Sequence, residues 1–470
     1  MSTNTVDQNR ITSALEKIEN NKALQYTLLI GIVMLAAVLR FYKISEWGFW
    51  IDEIYTINRA MGDLESVVIP ISTRLISIAL SLLGISEFSA RFVPGFLGLI
   101  SIPIYFFPIR KLTDGATALL AVLLLAMAPW HIFWSQNARF YTALMLFYGL
   151  AGLCWFIWLE EENSWYLIIS MILIGFAMLE RGTTLFILPV LIVYLIALMI
   201  LPVKKPPGLN WRNLATFFTP MILLGVVVVF TTGNHYSFFT KIFGHQHNPI
   251  RVTLSVIYDV GLPLFIFAII GGVYWIYQKN RLGLFLLVGV LVPLVILAVM
   301  APFTQAFSRY VFQTLPFWVI LGAMAIKALI DNASNNGKYL VLGVALLLVA
   351  DSFSQDFLYF NFQNGNREDF KGAFEVIAHD KQPGDLIVSG WPELGSYYLD
   401  ESVVSSFEIK DEDIVKSENR VWFVVDNRSG FPPRLQSWIE MNSQLIAIRD
   451  VSIPGKVMKM RVYLYQPEAP

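Results

Sequence analysis

The sequence predicts a polytopic α-helical membrane protein with about eleven transmembrane helices and a small α/β domain after the last of them. Of the 470 residues, 56% are hydrophobic and only 15% are charged, whereas soluble proteins carry roughly 25% charged residues. Eleven apolar runs have the length of a membrane span or nearly so. After residue 355 the chain becomes polar and mixes strand-like with helical segments. Together these observations predict the fold class.

The first apolar run, Leu24–Tyr42, is predicted to be a retained transmembrane helix. It follows a polar N-terminal segment and is too long for the apolar core of a cleaved signal peptide. Ten further runs follow it along the chain. They are Phe92–Ile109, Ala116–Trp134, Phe140–Leu159, Trp165–Leu179, Thr184–Leu201, Leu214–Phe230, Gly261–Tyr277, Leu282–Met300, Val311–Ile330 and Tyr339–Phe353.

Basic residues in the short loops predict the orientation, because cytoplasmic loops are enriched in lysine and arginine. A cytoplasmic N-terminus places most of these residues inside, and eleven spans then place the C-terminus outside. We therefore expect a multi-pass protein of the cell (inner) membrane. The residues that this orientation places inside are Lys17, Lys22, Arg110, Lys111, Lys204, Lys205, Arg212, Lys279, Arg281 and Lys338.

The run Ser66–Ile85 decides whether the number of spans is odd or even. Counting it as a twelfth span would place every later loop on the opposite side of the membrane. It has Arg74 near its middle and Pro70 near its start, and an arginine without a partner is costly at bilayer depth. We therefore predict a helix lying flat on the outer surface. The segment 43–90 becomes one long outer loop with interfacial helices.

The C-terminal residues 356–470 are predicted to form an extracytoplasmic α/β domain over the mouth of the transmembrane domain, residues 1–355. A helical stretch around Glu368–His379 is followed by strand-like runs. Those runs read "DLIVSG", "RVWFVVD", "SQLIAIRD" and "MRVYLYQ".

Two adjacent carboxylates, Asp52 and Glu53, lie in the first outer loop within "EWGFWIDEIYTINRAMGDLE". The tryptophans of this stretch are typical anchors at the lipid–water boundary. A carboxylate there can serve as a general base. An alternative is that Asp52 only caps the helix that begins "EIYTINRAM".

Several basic residues fall on the outer side, against the orientation rule, and three of them are arginines at the ends of predicted spans. Arg139 lies in "SQNARFY", Arg181 in "LERGTT" and Arg309 in "FSRYVF". The planar donor fork of arginine suits a phosphate, and a lipid–water boundary suits a ligand with a phosphate head and a lipid tail. The alternative is that each arginine reaches to lipid headgroups or pairs with a nearby acid such as Glu180.

Other ionisable residues give weaker signals. His245 and His247 resemble a metal-binding pair, but no third ligand is evident. The single cysteine, Cys154, excludes an intrachain disulfide. The net charge of −1 gives no indication of nucleic-acid binding.

Four motifs in order resemble the GT-C membrane glycosyltransferases, in particular the bacterial branch related to protein O-mannosyltransferases and the lipid A aminoarabinose transferase. "WIDEIYTINRA" resembles the family's Asp-Glu motif, and "ISEFSARFVPGFLGLISIPIYFFPIRKL" its second span. "APWHIFWSQNARFYTALMLFYGLA" resembles the turn between spans three and four, and "NREDFKGAFEVIAHDKQPGDLIVS" the start of the C-terminal domain. Only Pro70 remains of the family's His-Pro-Pro or Lys-Pro element, in "VVIPIST".

The resemblance implies an inverting hexosyl- or pentosyltransferase. Such an enzyme moves a sugar from a polyprenyl-phosphate donor to a hydroxyl of a lipid, glycan or protein acceptor at the outer face. It implies that Asp52 is the catalytic base and that Glu53 orients the loop or helps to hold a cation. No cofactor is required, and a divalent cation is left open. The predicted donor-phosphate-binding residues are Arg139, Arg309, Arg181, Tyr141 and Tyr310.

Two other classes of protein share some of these features. A transporter or flippase of a lipid-linked sugar would also have many spans, but its ionisable groups are expected near the midplane, in broken helices. An inactive relative that binds an envelope partner would not need the Asp-Glu pair. Membrane lipids are expected around the protein whether it is a glycosyltransferase, a transporter or an inactive relative.

Overall fold

The computed structural model describes residues 10–62, 69–231, 247–409 and 419–467. Most of this chain is helical, and two 3₁₀ segments, Gly182–Phe186 and Ser308–Thr314, lead directly into helices. The helices are α1 Arg10–Asn20, α2 Lys22–Phe41, α3 Ile51–Met61, α4 Ile71–Leu83, α5 Glu87–Leu112, α6 Gly115–Met127, α7 Pro129–Ser135, α8 Tyr141–Glu161, α9 Ser164–Glu180, α10 Ile187–Ile200, α11 Trp211–Thr231, α12 Pro249–Val260, α13 Leu262–Tyr277, α14 Arg281–Met300, α15 Leu315–Asn332, α16 Asn335–Asn361, α17 Phe370–Asp380, α18 Pro392–Leu399 and α19 Pro433–Asn442.

Within the described ranges, seven helical runs are long and apolar enough to cross a membrane, and nine if each of two bent pairs counts as one span. The prediction of a polytopic α-helical membrane protein is confirmed. All eleven predicted runs coincide with helices. The two that are not among the nine are α9, with 17 residues, and α11, so the number eleven and the orientation stay predictions.

One predicted span, Ala116–Trp134, is bent, and a second bend lies at the start of another, Gly261–Tyr277. Helices α6 and α7 meet at 58° and α12 and α13 at 97°. Pro129 starts α7, so it cannot donate the hydrogen bond that would continue α6. Gly261 joins α12 to α13 with φ +91°, a conformation that favours glycine. Both breaks shape the end of the bundle where the predicted site lies.

The ambiguous run Ser66–Ile85 contains the helix α4, and its first residues lie outside the described ranges. Helix α4 has 13 residues, which gives a length of about 20 Å. This is shorter than the roughly 30 Å hydrocarbon core of a bilayer. The length agrees with the predicted interfacial helix, whose position on the outer surface stays a prediction.

Aromatic side chains and glycines pack the interior of the bundle. The Trp155 ring lies about 6 Å from the rings of Tyr194, Phe217 and Phe285. Gly152 on α8 and Gly289 on α14 both face Phe317, and an added Cβ at either position would lie 2.7 Å from its ring. Small residues thus let α8, α14 and α15 approach closely, as in other membrane bundles.

The C-terminal domain is a mixed five-stranded sheet between helices. Its order is β2-β1-β3-β7-β4, with β1 parallel to β2 and β3 and the other neighbours antiparallel. Side chains alternate along β3: Trp422 and Val424 pack on the side of α17, whereas Phe423 packs on the side of α19. The strands are β1 Leu386–Ser389, β2 Val404–Ser405, β3 Val421–Asp426, β4 Gln444–Ile448, β5 Val451–Ile453, β6 Lys456–Met458 and β7 Met460–Tyr465.

The predicted outer loop, residues 43–90, and the C-terminal domain share one hydrophobic core. Phe49 and Ile54 of the loop belong to the same buried cluster as Phe374 of α17 and Trp422 of β3. The Tyr398 hydroxyl accepts from the Phe49 backbone N–H at 2.6 Å. The loop that carries the predicted acids is therefore held in place by the C-terminal domain.

Candidate functional site

The predicted acids lie on the first turn of α3. Trp50 precedes this helix in an extended conformation and occupies the cap position, so Asp52 lies inside the first turn and is not the cap residue. The Trp50 backbone N–H donates to Glu53 Oε2 at 3.4 Å. Carboxylates are favourable here, because the helix dipole is positive at its N-terminus.

Glu53 is fully buried and held by two arginines. Its carboxylate accepts from Arg91 Nε and Nη2, both at 2.8 Å, and from the Ala138 backbone N–H at 2.8 Å. Arg367 Nε lies 3.6 Å from Glu53 Oε2. Burial raises the pKa of Glu53, but the two arginines and the hydrogen bonds outweigh burial and hold this pKa below its usual value. Glu53 thus joins the loop to α5, to the 136–140 turn and to the C-terminal domain.

Arg91 also fixes the backbone that leads into α3. Its Nη1 donates to the carbonyls of Ile44 and Trp47, at 3.0 and 2.8 Å, and its Nη2 donates to the Gly48 carbonyl at 2.8 Å. Sequence reasoning included Arg91 in a motif but gave it no role. Its position at the start of an apolar span was the available signal, because a buried arginine requires a partner.

Asp52 has the opposite environment, partly exposed and next to two cations. Its side chain is 25% exposed, and Oδ2 lies 3.5 Å from Arg309 Nη1 and 3.9 Å from Arg139 Nη2. Arg139 Nη1 also donates to the Asp52 carbonyl at 2.8 Å and to the Thr56 hydroxyl at 2.9 Å. The structure therefore separates the adjacent acids into one buried structural anion and one accessible carboxylate.

Arg181 lies near Arg309, and aromatic side chains connect the two. Its Nη1 donates to the Tyr141 hydroxyl at 3.3 Å, and its guanidinium lies 4.7 Å from the Tyr310 ring centroid. The Arg309 guanidinium lies 5.8 Å from the same Tyr310 ring. All five predicted phosphate-binding residues are thus neighbours in space. We call Arg139, Arg181, Arg309, Tyr141 and Tyr310 the arginine cluster.

The acid named as an alternative partner of the outer arginines is engaged elsewhere. Glu180 is buried and accepts from the Ser72 backbone N–H at 3.0 Å and from the Ser72 hydroxyl at 2.6 Å. This contact ties the start of α4 to the end of α9. Asp52 is the carboxylate that the structure places against the arginine cluster.

The turn in "SQNARFY" positions Arg139 through fully buried amides. The Gln136 side chain donates to the Tyr42 carbonyl at 2.8 Å, and the Asn137 side chain accepts from Trp50 Nε1 at 2.8 Å. Arg367 Nη2 donates to the Gln136 carbonyl. The same turn therefore holds Glu53 through the Ala138 N–H and places Arg139 beside Asp52.

The predicted histidine pair is only partly described. His245 lies outside the described residues. The His247 ring lies 2.8 Å, at Nδ1, from the Ala306 carbonyl and packs against Phe307. Within the described ranges, no three histidine, cysteine, aspartate or glutamate residues are grouped so that they could hold a metal ion.

Comparisons with known proteins agree with this architecture. A family model described as dolichyl-phosphate-mannose-protein mannosyltransferase matches residues 69–230. No curated protein matches the chain. Among solved structures, ArnT from Cupriavidus metallidurans in the apo state is similar with a TM-score of 0.61 at 15% sequence identity, covering 94% of this chain and 98% of that one.

Two further structures are similar over most of the chain. ArnT from the same organism bound to undecaprenyl phosphate has a TM-score of 0.56 at 15% identity, covering 93% of this chain and 97% of that one. The Archaeoglobus fulgidus oligosaccharyltransferase in the apo form has a TM-score of 0.60 at 11% identity, covering 86% and 70%. The family match over part of the chain and the shared fold agree with the resemblance seen in the sequence: the chain has the GT-C fold.

Proposed function

We propose that the protein is an inverting glycosyltransferase that moves a sugar from a polyprenyl-phosphate donor to an acceptor hydroxyl at the outer face of the membrane. The observation that carries this proposal is the pairing of a partly exposed carboxylate, Asp52, with Arg139 and Arg309. It is supported by the undecaprenyl phosphate bound to ArnT, which has the same fold. The acceptor is a lipid, a glycan or a protein.

In the proposed reaction Asp52 is the general base. The acceptor oxygen attacks the anomeric carbon, its proton passes to the Asp52 carboxylate, and the bond from that carbon to the phosphate oxygen breaks. The electron pair leaves with the polyprenyl phosphate, which gains negative charge. Arginines already fixed at the phosphate stabilise this charge without reorganisation.

The arginine cluster suits the leaving phosphate because it is cationic and held largely by neutral groups. Arg181 rests on Tyr310 and bonds to Tyr141, and Arg309 rests on Phe307 at 4.5 Å. Among the described contacts, Asp52 is the one carboxylate that pairs with this cluster, through Arg139 and Arg309. A phosphate can therefore bind to them by charge-assisted, bidentate hydrogen bonds.

Replacement of Arg309 by lysine is expected to lower kcat/KM for the lipid donor by about tenfold to a hundredfold, as for the loss of one charge-assisted hydrogen bond. Lysine keeps the charge but not the planar fork. The measurement is sugar transfer by the purified protein in nanodiscs. Arg449→Lys, an exposed arginine of the C-terminal domain, is the control and should transfer at the wild-type rate. Equal rates for Arg309→Lys and wild type would remove Arg309 from the donor site.

The proposed location requires the arginine cluster to lie at the outer face. A reporter fused at Gly115 is expected to give a cytoplasmic signal and one at Gly365 an external signal. Gly115 follows α5, and Gly365 lies between α16 and α17. Two reporters on the same side, or the reverse order, would contradict the orientation.

Donor consumption in cells tests the function itself. A deletion strain is expected to accumulate a polyprenyl-phosphate sugar and to lack one sugar in its envelope glycans, both measured by mass spectrometry. The accumulated lipid, extracted and given to the purified protein with envelope extract, should yield free polyprenyl phosphate, and a parallel reaction with EDTA tests for a divalent cation. A lipid-linked sugar that crosses liposome membranes without being consumed would identify a flippase instead.

A further inference from the structure

Arg40, in the last turn of α2, is a fully buried cation that the proposed reaction does not use. It donates through Nη1 to the Ala126 carbonyl at 2.6 Å and through Nη2 to the Leu125 carbonyl at 3.3 Å. Its Nη2 also lies 2.8 Å from His131 Nδ1. The two carbonyls belong to the last turn of α6, and His131 belongs to α7. One guanidinium group therefore joins α2 to both sides of the break between α6 and α7.

The carbonyls that Arg40 contacts need a donor because the helix is broken after them. In a continuous helix the Leu125 carbonyl would accept from the N–H of residue 129, but Pro129 has no N–H. It accepts instead from the Ala128 N–H at 3.4 Å. The chain then bends by 58° into α7, so no following turn of α6 reaches the Ala126 carbonyl. Because buried carbonyls without donors are costly, Arg40 stabilises the break.

The end of α2 is capped in turn by Gln136, a fully buried residue that directly follows α7. Its Nε2 donates to the carbonyls of Leu39, Arg40 and Tyr42, at 3.3, 3.1 and 2.8 Å. The last carbonyls of a helix have no partner within that helix. Its Oε1 accepts from the Tyr359 hydroxyl of α16 at 2.9 Å, which fixes the amide. We call Arg40 and Gln136 the capping pair, because they link the end of α2 to α7 in both directions.

The capping pair joins the two elements that lead to Asp52 and Arg139. The segment after α2 leads into α3, which carries Asp52, and the turn after α7 carries Arg139. Arg139 Nη1 donates to the Asp52 carbonyl at 2.8 Å, and its Nη2 lies 3.9 Å from Asp52 Oδ2. At a reactive site a displacement of about 1 Å can lower a rate by about a hundredfold. The position of α7 relative to the end of α2 therefore matters for the candidate site.

We propose that Arg40 and Gln136 are positioning residues, which hold Arg139 beside Asp52 by fixing α7 against the end of α2. In the described contacts neither side chain touches Asp52 or a member of the arginine cluster, so both act through the backbone that they cap. The inference rests on the proposed function and deepens it, because it names residues that present the arginine cluster to the donor phosphate.

Binding of undecaprenyl phosphate to the full-length protein in nanodiscs, measured by native mass spectrometry, tests the proposal without requiring turnover. Arg40→Met removes the donors and should weaken binding by about tenfold, as for the loss of one hydrogen bond to a charged group. Arg139→Ala should weaken it at least as much. The double variant should bind as Arg139→Ala does, because the losses are not additive when one residue acts through the other. Gln136→Leu should show the same dependence on Arg139.

Hydrogen exchange gives a second readout that needs no lipid. Arg40→Met and Gln136→Leu should each increase exchange in residues 128–139, because α7 loses its attachment to α2. Arg40→Lys keeps the charge and a donor but not the fork, so it should restore part of the binding and of the protection. Arg110→Met is the control, since the described contacts of Arg110 are with the side chains of Tyr26 and Phe106. It should match the wild type in both measurements.

Two results would overturn the proposal: additive losses in the double variant, or wild-type binding and exchange in both Arg40→Met and Gln136→Leu. A fall in the thermal unfolding temperature of Arg40→Met leaves Gln136→Leu and Arg40→Lys to decide. If the wild type binds undecaprenyl phosphate but transfers no sugar, the glycosyltransferase proposal fails, and the double variant still decides the role of the capping pair. If the wild type does not bind this lipid, the phosphate site is refuted, and unchanged exchange in residues 128–139 would refute the capping role as well.

Discussion

Replacing Asp52 by asparagine is expected to lower the rate of sugar transfer by about 10²- to 10⁴-fold, the usual contribution of a general base. Asparagine is close to aspartate in size but cannot accept the acceptor's proton. The side chain is 25% exposed and its cationic neighbours are 3.5 and 3.9 Å away, so the fold does not depend on this carboxylate. The measurement is the rate of sugar transfer by purified variants under saturating lipid donor.

A matched control is available in the same loop. Glu46 is exposed and pairs only with Lys43 among the described ion pairs, at 3.1 Å, so Glu46→Gln should transfer sugar at the wild-type rate. Asp52→Asn should also keep the thermal unfolding temperature and the donor affinity of the wild type. Turnover by Asp52→Asn within a few-fold of the wild type would exclude Asp52 as the base.

Hydropathy predicted the helices well because burial in lipid requires continuous apolar runs. The two bends were not predicted, although local signals exist at both. Pro129 follows Ala128 in one predicted span, and Gly261 with Pro263 begins another. A proline is tolerated within many membrane helices, as Pro94 and Pro103 are within α5, so a proline alone does not distinguish a break from a continuous span.

The sequence placed the acids and the three outer arginines at one face but could not assign the partners of each acid. Asp52 and Glu53 are adjacent, and successive residues on a helix point about 100° apart. Which of them turns inward depends on Arg91, 38 residues away, and on Arg367 in the C-terminal domain. Such pairing is set by the tertiary fold, and neither periodicity nor composition records it.

The buried pairing of Glu53 also connects the C-terminal domain to the candidate site. Arg367 lies just before α17, and its guanidinium reaches Glu53 and the Gln136 carbonyl. Phe374 of α17 packs in the cluster that contains Phe49 and Ile54. The docked C-terminal domain therefore helps to hold the loop that carries Asp52, together with Arg91 of α5.

Replacing Glu53 by glutamine is expected to destabilise the protein by about 3–5 kcal/mol, the cost of removing one partner from a buried ion pair. Glutamine leaves Arg91 and Arg367 charged and buried without an anion. The measurement is the thermal unfolding temperature in nanodiscs, together with hydrogen exchange in residues 44–61. Exchange should increase there, because Glu53 and Arg91 hold this backbone in place.

Glu160→Gln is the control for this prediction, because Glu160 pairs with Arg281 where both side chains are partly exposed. Pairs of that kind contribute about 0–1 kcal/mol, so a much smaller change is expected. Glu53→Gln should lose activity in proportion to its loss of folded protein, whereas Asp52→Asn should lose activity with the fold intact. A Glu53→Gln variant that unfolds at the wild-type temperature but transfers no sugar would assign Glu53 to the chemistry, and the separation into a structural and a catalytic acid would be wrong.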